Sequence, residues 1–287
     1  MTSCRICNVI HMNPLKQFVA VSRGRVFAAS VVALASLAAR SQVCAQLTVP
    51  VGGITIDFDN TQSGVNNGAY NGSAPVAAPG PGGLNSGAFA FQLAPTFRGG
   101  TTAFGAPLGA GTDGVYGFIG GQAGTLGTGK ELGFVPANGG ASTFGSFALT
   151  TVNGTGSAIN QFTLQLDFNF NNQTSRGVTL NVSYTISGVT TGLGALTFTP
   201  GNALGTLAGT HLSSGLITLG AAVPNAGQII FNFTLATNSS GAGPTRDEVG
   251  LDNISLTEMF VPEPGTYAAG AMALVAVGFF LRRRFAL

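Results

Sequence analysis

The sequence predicts an all-β protein, an antiparallel β-sandwich of the jelly-roll type, flanked by an N-terminal signal peptide and a single C-terminal transmembrane helix. Three observations predict it: apolar and polar residues alternate in several central segments, Gly-rich loops separate those segments, and a basic, apolar segment stands at each end. With 21 Phe among 287 residues, the chain has enough apolar surface to form a core, although 44 residues are Gly and only 8% are charged.

Residues 1–45 have the organisation of an export signal. Basic residues precede an apolar run over 26–39, which is too short to cross a membrane comfortably. Small side chains then precede the expected cut between Ala45 and Gln46, so signal peptidase is the first expected partner. Met12 is a possible true start, because the preceding residues add nothing to the signal.

All three cysteines, at positions 4, 7 and 44, lie before the expected cut. The exported domain, residues 46–260, is therefore expected to fold without a thiol or a disulfide. Within it, residues 60–87 are rich in Gly, Pro and Asn, and this composition predicts long loops.

The clearest strands are predicted at 159–170, 178–186 and 229–235, where apolar side chains occupy every second position. In the first of these, the residues from Phe162 to Phe170 at even positions fall on one face, and polar residues fall on the other. A last strand is predicted at 251–257. The shorter candidates are 54–58, 88–93, 115–119, 131–135 and 144–151.

The net charge of +2 conceals an acidic middle, because the basic residues lie mostly at the ends. Between Gln46 and Val261 there are four cations and nine acids. Nucleic-acid binding needs clustered Lys and Arg on one surface, so this class of partner is excluded.

The densest polar cluster is Asp247, Glu248, Asp252 and Asn253, at the entrance to the last predicted strand. Carboxylate and amide oxygens are the ligands that Ca²⁺ takes, so one interpretation is a calcium site. The other is a solvated turn. Apart from this possible calcium, no cofactor is expected.

Other candidates give no catalytic arrangement. Asp57 and Asp59 are expected on the same side of a strand, either exposed or holding a cation. His211 is expected in a solvated loop, and no sharp-turn nucleophile motif accompanies it. We therefore expect no enzyme.

The C-terminal segment, residues 261–287, has three parts. Val261, Pro262, Glu263 and Pro264 come first, and the two prolines prevent regular structure from continuing into the next part. Residues 265–281 carry no charge and would span about 25 Å as a helix, just short of the ~30 Å hydrocarbon core. The membrane stop is Arg282, Arg283 and Arg284, which should remain cytoplasmic and hold the domain outside.

These three parts, in this order, resemble the PEP-CTERM sorting signal of Gram-negative surface proteins. The resemblance implies an inner-membrane single-pass precursor that an exosortase trims near Glu263, leaving the mature form at the outer surface or outside the cell. The alternative is a permanent C-terminal anchor.

In this family the exosortase accompanies exopolysaccharide production, so the resemblance implies a structural or adhesive protein of the cell surface or extracellular matrix. The alternative is a carbohydrate-binding β-sandwich module associated with exopolysaccharide. That alternative predicts exposed aromatic side chains for sugar stacking, yet the chain has no Trp and only four Tyr.

Overall fold

The computed structural model describes residues 46–60, 64–92, 96–106, 113–120, 129–135, 143–172, 178–200, 206–237, 247–259 and 272–277. All of them belong to one compact unit, Val43–Leu287. The predicted signal peptide lies outside the described residues.

Fourteen strands in the described ranges form two sheets. Sheet A contains β1 (Leu47–Val49), β3 (Phe89–Phe91), β7 (Thr143–Asn153), β9 (Val178–Ile186), β10 (Val189–Gly192) and β13 (Gln228–Thr237). Sheet B contains β2 (Ile54–Ile56), β4 (Phe97–Ala103), β5 (Gly114–Ile119), β6 (Lys130–Val135), β8 (Ile159–Asn172), β11 (Thr206–Ser213), β12 (Ile217–Val223) and β14 (Glu248–Met259). A single 3₁₀ turn, Gly194–Leu196, follows β10.

Strands alternate between the two sheets along the second half of the chain. The order across sheet A is β1, β7, β13, β9, β10, with β3 also paired to β7. The order across sheet B is β11, β8, β14, β6, β5, β4, with β12 on β8 and β2 on β14. From β6 to β14 the chain therefore crosses repeatedly from one sheet to the other, which brings distant segments together as neighbours.

The prediction of a wholly antiparallel sandwich is wrong at two places. β1 pairs with β7 in parallel, and β4 pairs with β5 in parallel. The chain between β1 and β7 is long enough to return to the same end of the sheet, which parallel pairing requires. All other strand pairs in the described residues are antiparallel, as expected.

The core between the sheets is built largely from phenylalanine. Phe231 of sheet A meets Phe162 of sheet B edge-on, with 5.4 Å between ring centroids. Phe147 of sheet A stacks on Phe134 of sheet B at 5.9 Å and on its neighbour Phe233 at 4.6 Å. The predicted inward face of 159–170 is confirmed, since its five apolar side chains are all buried.

Nine strands were expected, and each coincides with an observed strand, although most boundaries differ by one to three residues. Two of these differences are informative. The last strand begins at Glu248 and not at residue 251. The strand predicted at 54–58 ends at Ile56, because Phe58 has a left-handed φ of 52° and the Asp57 carboxylate accepts the backbone N–H groups of Asp59 and Asn60.

Sequence periodicity missed five strands: β1, β4, β10, β11 and β12. β1 and β10 have only three and four residues, and β4 contains two adjacent glycines that interrupt the apolar alternation. In β12 the outward positions include Gly220 and Ala222 in place of polar residues, so the contrast between the two faces is weak. Residues 64–87 contain only isolated bridges, in agreement with the predicted loops, yet they bury Val65, Tyr70 and Leu84 completely. These loops are therefore part of the core.

The predicted membrane helix at 265–281 falls mostly outside the described residues. Residues 272–277 are helical, and their side chains are exposed. Within the described ranges, no helix reaches the length and hydrophobicity that a membrane crossing requires.

Gly133 of β6 provides a test of the packing on the outer side of sheet B. A Cβ at this position would overlap the ring of Phe118, which is fully buried. We expect Gly133→Ala to lower the free energy of unfolding by about 1–3 kcal/mol, because the ring has to move. Urea denaturation measures this difference in the free energy of unfolding.

Gly220→Ala is the matched control, since Gly220 is also in a strand of sheet B but is exposed and has open space where the Cβ would lie. This substitution should leave stability within about 0.5 kcal/mol. Equal effects of the two substitutions would contradict the described packing around Phe118.

Candidate functional site

The candidate site is a row of carboxylates and amides on the outward face of sheet B. Val249 and Leu251 of β14 point into the core, so Glu248, Gly250 and Asp252 face outward. We define the carboxylate–amide row as Glu131, Asp167, Asn169, Asn171, Glu248 and Asp252.

Glu131 occupies the centre of the row, above Gly250 of the neighbouring strand. A Cβ at Gly250 would overlap the Glu131 carboxylate, so glycine is required there for close approach. Asn169 Nδ2 donates a hydrogen bond of 2.7 Å to Glu131 Oε2. Glu131 is 1% exposed, and its Oε1 has no hydrogen-bond partner among the described residues.

One end of the row is covered by the chain that follows β4. Glu248 Oε2 accepts hydrogen bonds from the backbone N–H of Gly105 at 2.6 Å and from Asn171 Nδ2 at 3.4 Å. A second apolar cluster lies on this outer side and contains Phe104, Tyr116, Phe118 and Val135. Because this cluster and the Gly105 turn exclude water, outward-facing polar residues are buried here.

The other end of the row is more open. Asp167 and Asp252 are directly opposite each other on β8 and β14. Asn253 Nδ2 donates to Asp167 Oδ2 at 2.8 Å and to Asp252 Oδ2 at 3.3 Å, so one amide bridges the two carboxylates. His211 Nδ1 lies 2.7 Å from Asp167 Oδ1, and the histidine side chain is 58% exposed.

Burial changes the acidity of the row. Burial raises the pKa of Glu131 to about 8; the hydrogen bond from Asn169 opposes the shift, and the charges of Asp252 and Glu248 add to it. The pKa of Asp252 rises to about 7, mainly by burial, opposed by the hydrogen bond from the Asn253 backbone and increased by nearby aspartates. Glu131 therefore carries a proton at pH 7, and the row can hold protons within the fold.

The predicted calcium ligands are placed differently from expectation. Asp247 and Glu248 are 1% and 0% exposed, so the solvated-turn alternative is wrong. Glu248 and Asp252 lie opposite Asn171 and Asp167, at separate positions along β14. Among the described residues, no group of three or more His, Cys, Asp or Glu side chains could hold a metal ion, and the calcium site stays a prediction.

Two further expectations need correction. Asp57 and Asp59 do not share one side of a strand, because the strand ends at Ile56 and the chain then turns. After this turn, the Asp59 carboxylate accepts a hydrogen bond from the backbone N–H of Lys130. His211 lies in β11 and not in a loop. The strand was missed because its inward positions are Ala208, Thr210 and Leu212, and polar Thr210 interrupts the apolar alternation.

The sequence analysis missed Glu131, Asn169 and Asn171 as site residues. The outward positions of 159–170 were identified, but no pattern in the sequence shows that the chain after β4 covers them. Of the processing residues, Gln46 immediately precedes β1. Ala45, the segment from Val261 to Pro264 and the three C-terminal arginines lie outside the described residues.

No protein-family model matches the chain, and no curated protein matches it. Several solved structures are similar in part, among them the following three. The CBM22-1–GH10 modules of Clostridium thermocellum endo-1,4-β-D-xylanase 10B, complexed with xylohexaose, match with 13% identity and a TM-score of 0.29, over 53% of this chain and 25% of that chain. The chain therefore spans about a quarter of that structure's length.

A carbohydrate-binding module specific for non-crystalline cellulose, CBM28, matches with 9% identity and a TM-score of 0.27, over 45% of this chain and 75% of that chain. The N-terminal cellulose-binding domain of Cellulomonas fimi β-1,4-glucanase C matches with 16% identity and a TM-score of 0.26, over 49% and 87% of the two chains. Likenesses at this level carry no argument about the ligand of this chain.

The raised pKa values predict that stability falls as pH rises. The folded state binds protons on Glu131 and Asp252 that the unfolded chain has already lost above its ordinary carboxyl pKa. Their contribution is complete below about pH 4 and is lost as pH rises towards 8. We expect the free energy of unfolding to fall by several kcal/mol, up to about 6 kcal/mol, between pH 5 and pH 8.

Glu131→Gln should reduce this slope and make the protein more stable than the wild type at pH 8, because glutamine keeps an acceptor for Asn169 but cannot ionise. Urea titrations at several pH values measure the slope. Asp113→Asn, which removes an exposed carboxylate 3.9 Å from Arg98, is the control and should leave the slope unchanged. An unaltered slope for Glu131→Gln would contradict the assignment.

Proposed function

We propose that this chain is an exported, non-enzymatic protein of the cell surface or extracellular matrix, with a structural or adhesive role, delivered through a PEP-CTERM-type sorting signal. One observation carries the proposal. The described strands begin at Leu47, two residues after the expected signal cut, and end at Met259, two residues before Val261.

Cleavage at either end would therefore leave the domain whole. Leu47 is 1% exposed and lies opposite Thr151, so the fold begins directly after Gln46. At the other end, Met259 is still in register with Gln161 of β8. The sorting segment begins where this pairing ends, and its two prolines favour an extended link that a protease can bind.

The alternation of strands between the two sheets supports a jelly-roll arrangement for the domain. The covered end of the carboxylate–amide row supports a structural role, since Asn169 donates a hydrogen bond to Glu131 and Asn171 donates one to Glu248. In this proposal, signal peptidase and an exosortase are partners of the precursor, and the inner membrane holds it only transiently.

The second candidate function is a carbohydrate-binding module that associates with exopolysaccharide. Among the described residues no aromatic side chain is exposed, so these residues offer no aromatic ring on which a sugar could stack. The observation that favours binding is an uncharged, hydroxyl-rich face on sheet A, and such a face would act through hydrogen bonds.

Mass measurement of the protein recovered from its native host tests the sorting proposal. We expect a mature form that begins at Gln46 and ends near residues 262–264. Replacing Pro262, Glu263 and Pro264 by alanine should leave the tail attached, because the rigid acidic link is lost.

The control is Asp113→Asn, which removes a charge from the folded domain and should be processed like the wild type. A wild-type mature form that retains Arg282–Arg284 would contradict sorting and indicate a permanent anchor.

A further inference from the structure

We propose that the outward face of sheet A binds uncharged polysaccharide chains through hydroxyl and amide groups. The proposal deepens the second candidate function, and it rests on the proposed export of the domain to where such polymers occur. It does not depend on which enzyme removes the C-terminal segment.

Charge is distributed unequally between the two sheets. The six strands of sheet A contain no Asp, Glu, Lys, Arg or His. Sheet B carries Arg98, Lys130, His211 and all six members of the carboxylate–amide row. Protein surfaces normally carry charges of both signs for solubility, so a charge-free sheet face is unusual for a surface that meets only water.

The outward face of sheet A presents hydroxyl and amide groups on four adjacent strands. Val182 and Tyr184 of β9 are buried in the core, so the residues between them face outward. The polar outward residues are Thr150 on β7, Asn232 and Thr234 on β13, Asn181, Ser183 and Thr185 on β9, and Thr190 on β10, and all are at least partly accessible.

Several of these groups are already ordered by one another. The hydroxyls of Thr185 and Thr190 are 2.8 Å apart across β9 and β10. Asn232 Nδ2 donates to Thr185 Oγ1 at 3.1 Å. An amide and two hydroxyls on three strands thus form one connected group, whose remaining donors and acceptors can meet the hydroxyls of a sugar chain without first being ordered.

A second copy of this chain fits the face less well. Stable dimer interfaces have an apolar centre enriched in large side chains. Among the described residues of sheet A, only Val189 is a highly exposed large apolar side chain, and it lies on the side of β10 away from Thr190. Ile230 also faces outward, between Thr150 and Thr185, but it is half-buried. The outward face therefore offers mainly hydrogen bonds and less apolar area than self-association requires.

An acidic polysaccharide also fits the face poorly. Carboxylates and sulfates are recognised by Arg and Lys, and sheet A contains neither. Sheet B is predominantly acidic and would repel such a polymer. An uncharged polyhydroxyl chain is the ligand whose chemistry matches the face, and its binding should depend little on salt.

The test uses the protein recovered from its host and two polymers that share one backbone, neutral hydroxyethyl cellulose and anionic carboxymethyl cellulose. Dextran and a galactomannan extend the neutral set. Affinity electrophoresis gives a Kd for each polymer at 50 mM and 500 mM NaCl. We expect binding to at least one neutral polymer, less than twofold dependence on salt, and no binding to carboxymethyl cellulose.

Two double variants locate the binding face. Thr185→Val with Asn232→Ala removes the amide–hydroxyl pair from sheet A and should weaken binding by about 5- to 10-fold. Thr218→Val with Gln161→Ala removes an equivalent pair from sheet B, where Gln161 Nε2 lies 3.2 Å from Thr218 Oγ1, and should leave binding unchanged. Urea titration of both double variants shows whether each is folded. If the sheet A double variant is not folded, the single variant Asn232→Asp is used in its place.

The proposal is overturned if none of the neutral polymers binds, if carboxymethyl cellulose binds as well as the neutral polymers, or if both double variants weaken binding equally. It is also overturned if the wild type is a dimer that the sheet A variant dissociates, since the face would then belong to a second copy. Failure of sorting appears separately, as an uncut mass, and leaves these binding results interpretable.

Discussion

The contact between phenylalanines of the two sheets is the constraint on which the rest of the structure depends. Two contacts fix which alternate side chains of these strands face inward: Phe231 against Phe162, and Phe147 against Phe134. Since strand side chains alternate, the same contacts determine which residues form the two outer faces. The domain contains no cysteine after Cys44, so this apolar packing has to hold the sheets together without a disulfide.

The two outer faces then meet different physical conditions. One end of the outer face of sheet B is covered by the Gly105 turn and the cluster around Phe118. Glu131 is therefore buried, and its pKa is raised above that of a free carboxyl group. Sheet A has no such charges, and its hydroxyl and amide groups reach solvent. One side of the sandwich therefore contributes buried polar contacts to the fold, while the other is the face that we propose for binding uncharged polysaccharide.

Sequence periodicity predicted the long strands because their inward residues are uniformly apolar, as in the alternation from Phe162 to Phe170. It failed for β11, where polar Thr210 interrupts the inward apolar series, and at Phe58, where a left-handed turn replaces the last strand residues. For the site, Glu248 and Asp252 could be identified because they are close in sequence. Glu131 could not, since its contact with Asn169 depends on the pairing of β6, β14 and β8.

The central claim is that residues 46–260 fold by themselves, through aromatic packing between two sheets, without either terminal segment. The most direct measurement is equilibrium unfolding of this fragment in urea, followed by near-UV circular dichroism. The account predicts one cooperative transition with the same midpoint as for the chain that retains residues 261–287. A fragment without a cooperative transition, or one that gains it only when residues 261–287 are restored, would contradict the account.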